Sequence, residues 1–140
     1  MTRIIVAYLA TLVAFCAGDF VWLGTIAIGF YQSEIGPLLL TAPNWPAAAT
    51  FYAIYAVGIL IFGVLPALRA GSWAKALLHG ALFGFFAYAT YDLTNLATLK
   101  GWSLGVTIVD IAWGMVVTGM AATVGYLSAK ATPAQAPGRD

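Results

Sequence analysis

Four long apolar runs set the limits on what this chain can become. A helix needs about 20 mostly apolar residues to cross the hydrocarbon core of a bilayer. Residues 4–29, 46–68, 76–99 and 104–129 each supply such a run. The dividers carry turn chemistry: 31–37 and 42–46 flank a first long loop, 69–75 forms the second, and 100–103 the third. Apolar residues make up 62% of the 140 and charged ones only 8%, against roughly 25% charged in a soluble domain. The pattern predicts an all-α, integral membrane four-helix transmembrane bundle. It forms one domain over 1–131, followed by a disordered tail at 132–140.

Charge and cysteine usage narrow the function classes. A net charge of +1 is far too small for a nucleic-acid binder. Cys16, alone of its kind, rules out an internal disulfide and any Cys-x-x-Cys motif. The first run outlasts the 7–15 apolar residues of a secretory signal and no Ala-x-Ala site follows it. Phe15, directly before Cys16, is too bulky for a lipoprotein cleavage site. Basic residues orient the spans. Arg3, Arg69, Lys75, Lys130 and Arg139 fall on one side and Lys100 alone on the other, where Glu34 sits in the long loop. Both termini are therefore expected in the cytoplasm, in a multi-pass, N-in/C-in topology. Trp45, Trp73 and Trp102 lie at span ends and read as interfacial anchors. His79, near the cytoplasmic end of the third span, reads as an interfacial polar residue.

Three of the five acids lie within spans: Asp19, Asp92 and Asp110. A charged carboxylate at mid-bilayer costs ~2.5–3.5 kcal/mol on the insertion scale. Polar contacts between membrane helices return only ~0.6–2 kcal/mol each. A chain with so few charges that keeps three such residues has a use for them. At 1.5 Å per residue, all three fall roughly 9–16 Å below the outer ends of their spans, so they share the outer half of the bilayer. Apart from Lys100 at the rim, that half holds no basic residue.

Aromatic residues follow the acids. Asp19 and Trp22, like Asp110 and Trp113, stand three residues apart and share a helical face. Tyr88, Tyr91, Asp92 and Asn95 form one face of the third span, with Thr94 adjoining, and the second span adds Tyr52 and Tyr55 at comparable depth. Buried Tyr and Trp need partners for their O–H and N–H groups. These stripes therefore predict a polar, aromatic-lined pocket that opens outward. Its ligand-binding residues would be Asp19, Trp22, Tyr52, Tyr88, Tyr91, Asp92, Thr94, Asn95, Asp110 and Trp113. Gly80-x-x-x-Gly84 and Ala121-x-x-x-Gly125 mark seams where helices approach closely. The Asp-x-x-Trp echo between spans one and four is too short to outweigh chance as a trace of an inverted repeat.

Acids without basic partners can take up protons, bind a cation, or donate hydrogen bonds when neutral. The first reading is a binding protein, with movement of its ligand coupled to protons. A small amphiphilic or cationic ligand would lie against the acids and be held by cation–π contacts. The second is a membrane enzyme acting on a lipid or isoprenoid, its paired Asp residues moving protons. The third is an accessory subunit or assembly factor of a membrane complex. No His/Cys/Glu spacing suits a metal, and no sequence feature names a cofactor. Expected partners are the lipid bilayer, a lipid or small amphiphile, and either a second copy or a partner membrane subunit.

Several stretches are familiar together. They are Tyr55-Ala-Val-Gly58-Ile, Phe62-Gly-Val-Leu-Pro66-Ala67, the run from Gly84 to Thr98 containing Thr90-Tyr91-Asp92-Leu-Thr94-Asn95, and Val109-Asp110-Ile-Ala-Trp113-Gly114. With Asp19-x-x-Trp22-x-Gly24, they resemble a bacterial family of small predicted membrane proteins catalogued as a domain of unknown function. The resemblance covers nearly all of the chain except the tail, and Thr-Tyr-Asp-Leu-Thr-Asn is its specific part. It implies a four-span protein of the bacterial inner membrane and supplies no mechanism. It points to Asp19, Trp22, Tyr91, Asp92, Thr94, Asn95, Asp110 and Trp113, residues that the depth argument selects independently.

Overall fold

A computed structural model describes residues 1–133. The tail expected at 132–140 lies, beyond Pro133, outside the described residues. Among these residues the structure is all helical. Helix α1 (Thr2–Val21) passes through a π turn (Trp22–Ile26) and a break at Ala27 into the short α2 (Ile28–Ile35) and a 3₁₀ turn (Gly36–Leu38). Helix α3 (Trp45–Ile59) continues through a second π turn (Leu60–Val64) into α4 (Leu65–Ala70), and α5 (Trp73–Thr98) and α6 (Leu104–Ala131) follow.

The ends of the helices follow from local chemistry. The side chain of Asn44 accepts from the Ala47 N–H at 3.2 Å to cap α3, and Ser103 accepts from Gly105 and Val106 to cap α6. Gly71 ends α4 at φ 66°, a left-handed conformation that favours glycine. The π turn before α4 has a covalent cause. Pro66 has no N–H and its ring crowds the carbonyl four residues back, inside Leu60–Val64. Within the first π turn, the Thr25 hydroxyl donates to the Val21 carbonyl and competes with the regular ladder. The Ala27 N–H then reaches the Trp22 carbonyl, five residues back, at 2.8 Å.

Segment 31–37, expected as a loop divider, is helical as far as Ile35. The true punctuation begins at Gly36-Pro37. Residues 28–35 contain no proline and place Ile28, Tyr31 and Ile35 on one face, which is enough to carry one further short helix.

Among the described residues, three helical stretches are long and apolar enough to cross a membrane: Thr2–Ile26, Trp45–Ala70 and Leu104–Ala131. Helix α5 matches them in length at 26 residues, but His79, Tyr88, Asp92, Thr94 and Asn95 dilute its apolar character. Large apolar side chains cover the outside of the molecule, among them Phe20 at 77% and Phe86 at 63% exposure. Such a surface suits lipid rather than water.

Helix α6 is the centre of the packing, with α5 on one side and α1 on the other. The Arg3 side chain donates from Nε to the Ala129 carbonyl at 3.0 Å, so α1 and α6 run antiparallel. The bundle thus has a terminal end, with the chain start and the α4–α5 turn, and a distal end with α2 and the α5–α6 turn. Glycines set the helix spacing. A Cβ on Gly80 would stand 2.8 Å from the Thr118 carbonyl oxygen, and one on Gly84 would collide with the carbonyl of Gly114. The expected seam at Gly80 and Gly84 therefore packs on Gly114, Thr118, Gly119 and Ala122. Gly125 instead faces α1, against Thr11 and the Ala7 carbonyl.

Candidate functional site

The antiparallel crossing of α1 and α6 brings their two Asp-x-x-Trp segments together. Trp22 and Trp113 stack with ring centroids 4.4 Å apart and planes 7° from parallel. Neither indole bonds the acid of its own helix. Trp113 donates from Nε1 to Asp19 Oδ1 at 2.9 Å. Trp22 donates from Nε1 to the Tyr31 hydroxyl at 3.1 Å, and that hydroxyl donates to Asp110 Oδ1. Because each Asp precedes its Trp by three residues on opposed helices, the acids lie on either side of the indole stack. They are separated along the axis by about two such intervals, or ~9 Å. Asp19 is the one nearer the terminal end.

Asp19 also accepts from the Tyr52 hydroxyl at 3.3 Å, and the side chain is buried. Around it the rings interlock. Phe15 packs 4.8 Å from Tyr55 and 5.7 Å edge-on from Tyr52, and Tyr55 stacks on Phe83 and meets Tyr88 edge-on. The Tyr55 hydroxyl pairs with the Thr118 hydroxyl at 3.0 Å. Gly114, directly after Trp113, makes room for the Tyr88 ring, which any Cβ at that position would strike.

These side chains enclose a cavity of about 470 Å³, within the ~300–1,000 Å³ range of small-molecule sites. Asp19, Tyr31, Phe51, Tyr52, Tyr55, Tyr88, Tyr91, Asp110 and Trp113 line it, with Leu23, Ala48 and Ala87 filling the gaps. Its walls carry two carboxyls and no Lys, Arg or His. Among the described residues no group of three or more His, Cys, Asp and Glu could hold a metal.

Of the residues singled out by sequence, Asp19, Tyr52, Tyr88, Tyr91, Asp110 and Trp113 meet at this cavity, and Trp22 braces it through the indole stack. Thr94 does not join them. It is exposed, and its hydroxyl donates to the Thr90 and Tyr91 carbonyls of its own helix. Asn95 is half-buried and does not line the cavity. Asp92 is fully buried behind the lining, and neither of its oxygens has a hydrogen-bond partner among the described residues. Tyr31 and Phe51 are aromatic lining residues that the sequence reading missed, and Tyr31 is the one that bonds an acid. It lies in a segment expected to be a loop, and its signal is the Ile28, Tyr31, Ile35 spacing. A second tie holds α2 at the distal end, where the Ser103 hydroxyl donates to Glu34.

The magnitudes separate the acids. In membrane bundles a polar contact averages ~0.6 kcal/mol and reaches ~1.7, against an insertion cost of ~2.5–3.5 kcal/mol per carboxylate. Two contacts offset Asp19 only at the upper figure, one falls short for Asp110, and among the described residues none compensates Asp92.

Neither a curated protein nor a solved structure matches the chain. The model of a family described as predicted membrane protein (DUF2177) matches residues 4–127. That span includes every element from the cavity floor to the indole stack, and the chain belongs to this family of predicted membrane proteins.

Proposed function

We propose that the protein is a four-span bundle, with α5 as its third span and both termini cytoplasmic, that binds a small cationic or amphiphilic ligand in the distal cavity. In this reading α5 crosses the membrane because Asp92 is buried and Tyr88 lines the cavity, while the exposed Thr90, Thr94 and Thr98 hydroxyls are satisfied by carbonyls of their own helix. The observation that carries the proposal is the cavity's chemistry: two carboxyls within a wall of seven aromatic rings and no basic residue. A cation entering it gains carboxylate contacts, and the ring faces hold it more strongly because water is excluded. The indole stack keeps Asp19 and Asp110 apart, so a ligand spanning both would present an elongated polar head. Protons compete with a cation for the same carboxyls, which is the chemical basis for coupling its movement to protons. Asp92, buried beside the site without a partner, is a third carboxyl available to that exchange.

The test is saturable binding of tetraphenylphosphonium to the protein in lipid nanodiscs, followed by tryptophan quenching. Wild type should bind it, more weakly as pH falls. Asp19→Asn and Asp110→Asn should each lose affinity by about tenfold or more, the worth of one charged partner at ~1.4 kcal/mol or above. Equal binding in wild type and both variants, or none in wild type, would overturn the assignment.

A further inference from the structure

The four long helical units form a ring, and in three of its four seams helix packs on helix. Helix α6 packs on α5 and on α1, and α1 packs on α3. The fourth seam differs. Helix α5 meets the Leu60–Val64 turn and α4 closely, but α3 hardly at all. The last firm contacts between the two sides are at Tyr55, on which Phe83 stacks at 5.3 Å and which Tyr88 meets edge-on at 6.3 Å, while the Phe83 ring also sits against Gly58. Beyond that level, Ala48, Phe51 and Tyr52 of α3 face Ala87, Tyr88 and Tyr91 of α5 across the cavity. The rim residues are open to the outside, Phe51 at 44% and Tyr91 at 58% exposure. A shallow trough on α3, lined by Asn44, Pro46, Ala47, Thr50 and Ile54, shares Phe51 and Tyr55 with the cavity wall. The trough and the cavity therefore adjoin at these two rings.

The geometry points to the α3–α5 seam as a lateral doorway from the lipid, and to a single-chain cationic amphiphile as the ligand that uses it. Its head lies between Asp19 and Asp110 and its chain passes out between Phe51 and Tyr91 to rest along α3. This rests on the cation-binding reading above and narrows the substrate class. The other approach, from the distal end, is obstructed: Tyr31 of α2 bonds Asp110, and Glu34 accepts from Ser103. A head group without a chain has no use for the trough, whereas an alkyl chain would leave one apolar environment for another.

Site-directed spin labelling tests the doorway directly. In full-length Cys16→Ala protein in nanodiscs, nitroxides are placed at Ala48→Cys and Ala87→Cys in the mouth, at Thr50→Cys in the trough, and at Phe86→Cys as a lipid-facing reference. Thr50 is exposed, so its label reports even if one in the mouth disturbs folding. The mouth and trough labels should be accessible to oxygen, which partitions into lipid, and protected from a water-soluble nickel chelate, as at Phe86. Dodecyltrimethylammonium should lower oxygen access at positions 48, 50 and 87 but not at 86. Tetramethylammonium should leave position 50 unchanged. Nickel-dominated access in the mouth would overturn the doorway while leaving tetraphenylphosphonium binding intact. Unchanged access on adding the amphiphile would overturn the ligand class. An amphiphile effect that survives Asp19→Asn with Asp110→Asn would keep the doorway and remove the acids as the site of the head.

Discussion

Around Gly80 and Gly84, α5 and α6 meet backbone against backbone, whereas from Tyr55 to Tyr91 the helices are held apart by rings and carboxyls. Both regions belong to the same bundle and face the same lipid. The glycine region leaves no room for a Cβ against the Thr118 and Gly114 carbonyls. The aromatic region leaves about 470 Å³ open and one carboxyl with no hydrogen-bond partner among the described residues. Lipid tails are as apolar as leucine, so helices in a membrane gain little from merely burying apolar surface, and close contact has to supply the association. The closed region therefore supports the open one, and the cavity is tolerable because the seam beneath it is tight.

The largest expected effect comes from opening that tight seam. Gly84→Ala places a methyl group on the Gly114 carbonyl, so α5 and α6 must separate. Overpacking of this kind costs about 1–3 kcal/mol, occasionally more. Thermal unfolding in detergent, followed by circular dichroism, should show a clear loss of stability. Tetraphenylphosphonium binding should weaken with it, because Gly114 also positions Tyr88. A variant that unfolds as wild type does would mean that the glycine seam is not what holds the bundle together.

This contrast was largely visible in the sequence, but unevenly. The apolar runs and the turn residues between them lie where the helices and their connections are, because span length and turn chemistry are local rules. Gly80 and Gly84 were legible as a seam for the same reason. The Asp-x-x-Trp echo placed Trp22 and Trp113 near acids. It could not show that each indole serves the opposite side of the stack, since that depends on how α1 and α6 register. Tyr31 was hidden because a π turn lies between it and α1, and a π turn leaves no periodic trace. Thr94 shared a motif with Asp92 but not its orientation: positions two apart on a helix point to nearly opposite sides, about 200° round the axis, and its hydroxyl is satisfied within its own turn.

A smaller effect tests the latch of the open region. Tyr31→Phe keeps the ring and removes the hydroxyl that links Trp22 Nε1 to Asp110. At ~0.6–1.7 kcal/mol per polar contact in a membrane bundle, stability should fall by roughly one such contact or two. The Trp22–Trp113 stack should loosen, and the tryptophan emission should shift when the variant is compared with wild type. A substantial loss of folded protein would instead place α2 among the structural supports, alongside the glycine seam. An unchanged spectrum and stability would show that α2 is not tied to the cavity.

The smallest effect on stability is expected at Asp92, and it is the most discriminating. Removing one partner of a buried polar pair leaves the other unsatisfied and costs ~1–3 kcal/mol, but Asp92 has no partner to strand. It is fully buried between helices, where a carboxyl without a hydrogen-bond partner costs more than an apolar side chain of the same branching. Asp92→Leu should therefore unfold at the same temperature as wild type or higher, whereas Asp19→Leu should unfold lower, because it strands the Trp113 N–H and the Tyr52 hydroxyl. A stabilised Asp92→Leu that also loses the pH dependence of tetraphenylphosphonium binding would mean that the chain retains this carboxyl for ligand exchange at the expense of packing. A destabilised one would mean that Asp92 has a structural partner in the membrane, and would move it to the closed side of the comparison.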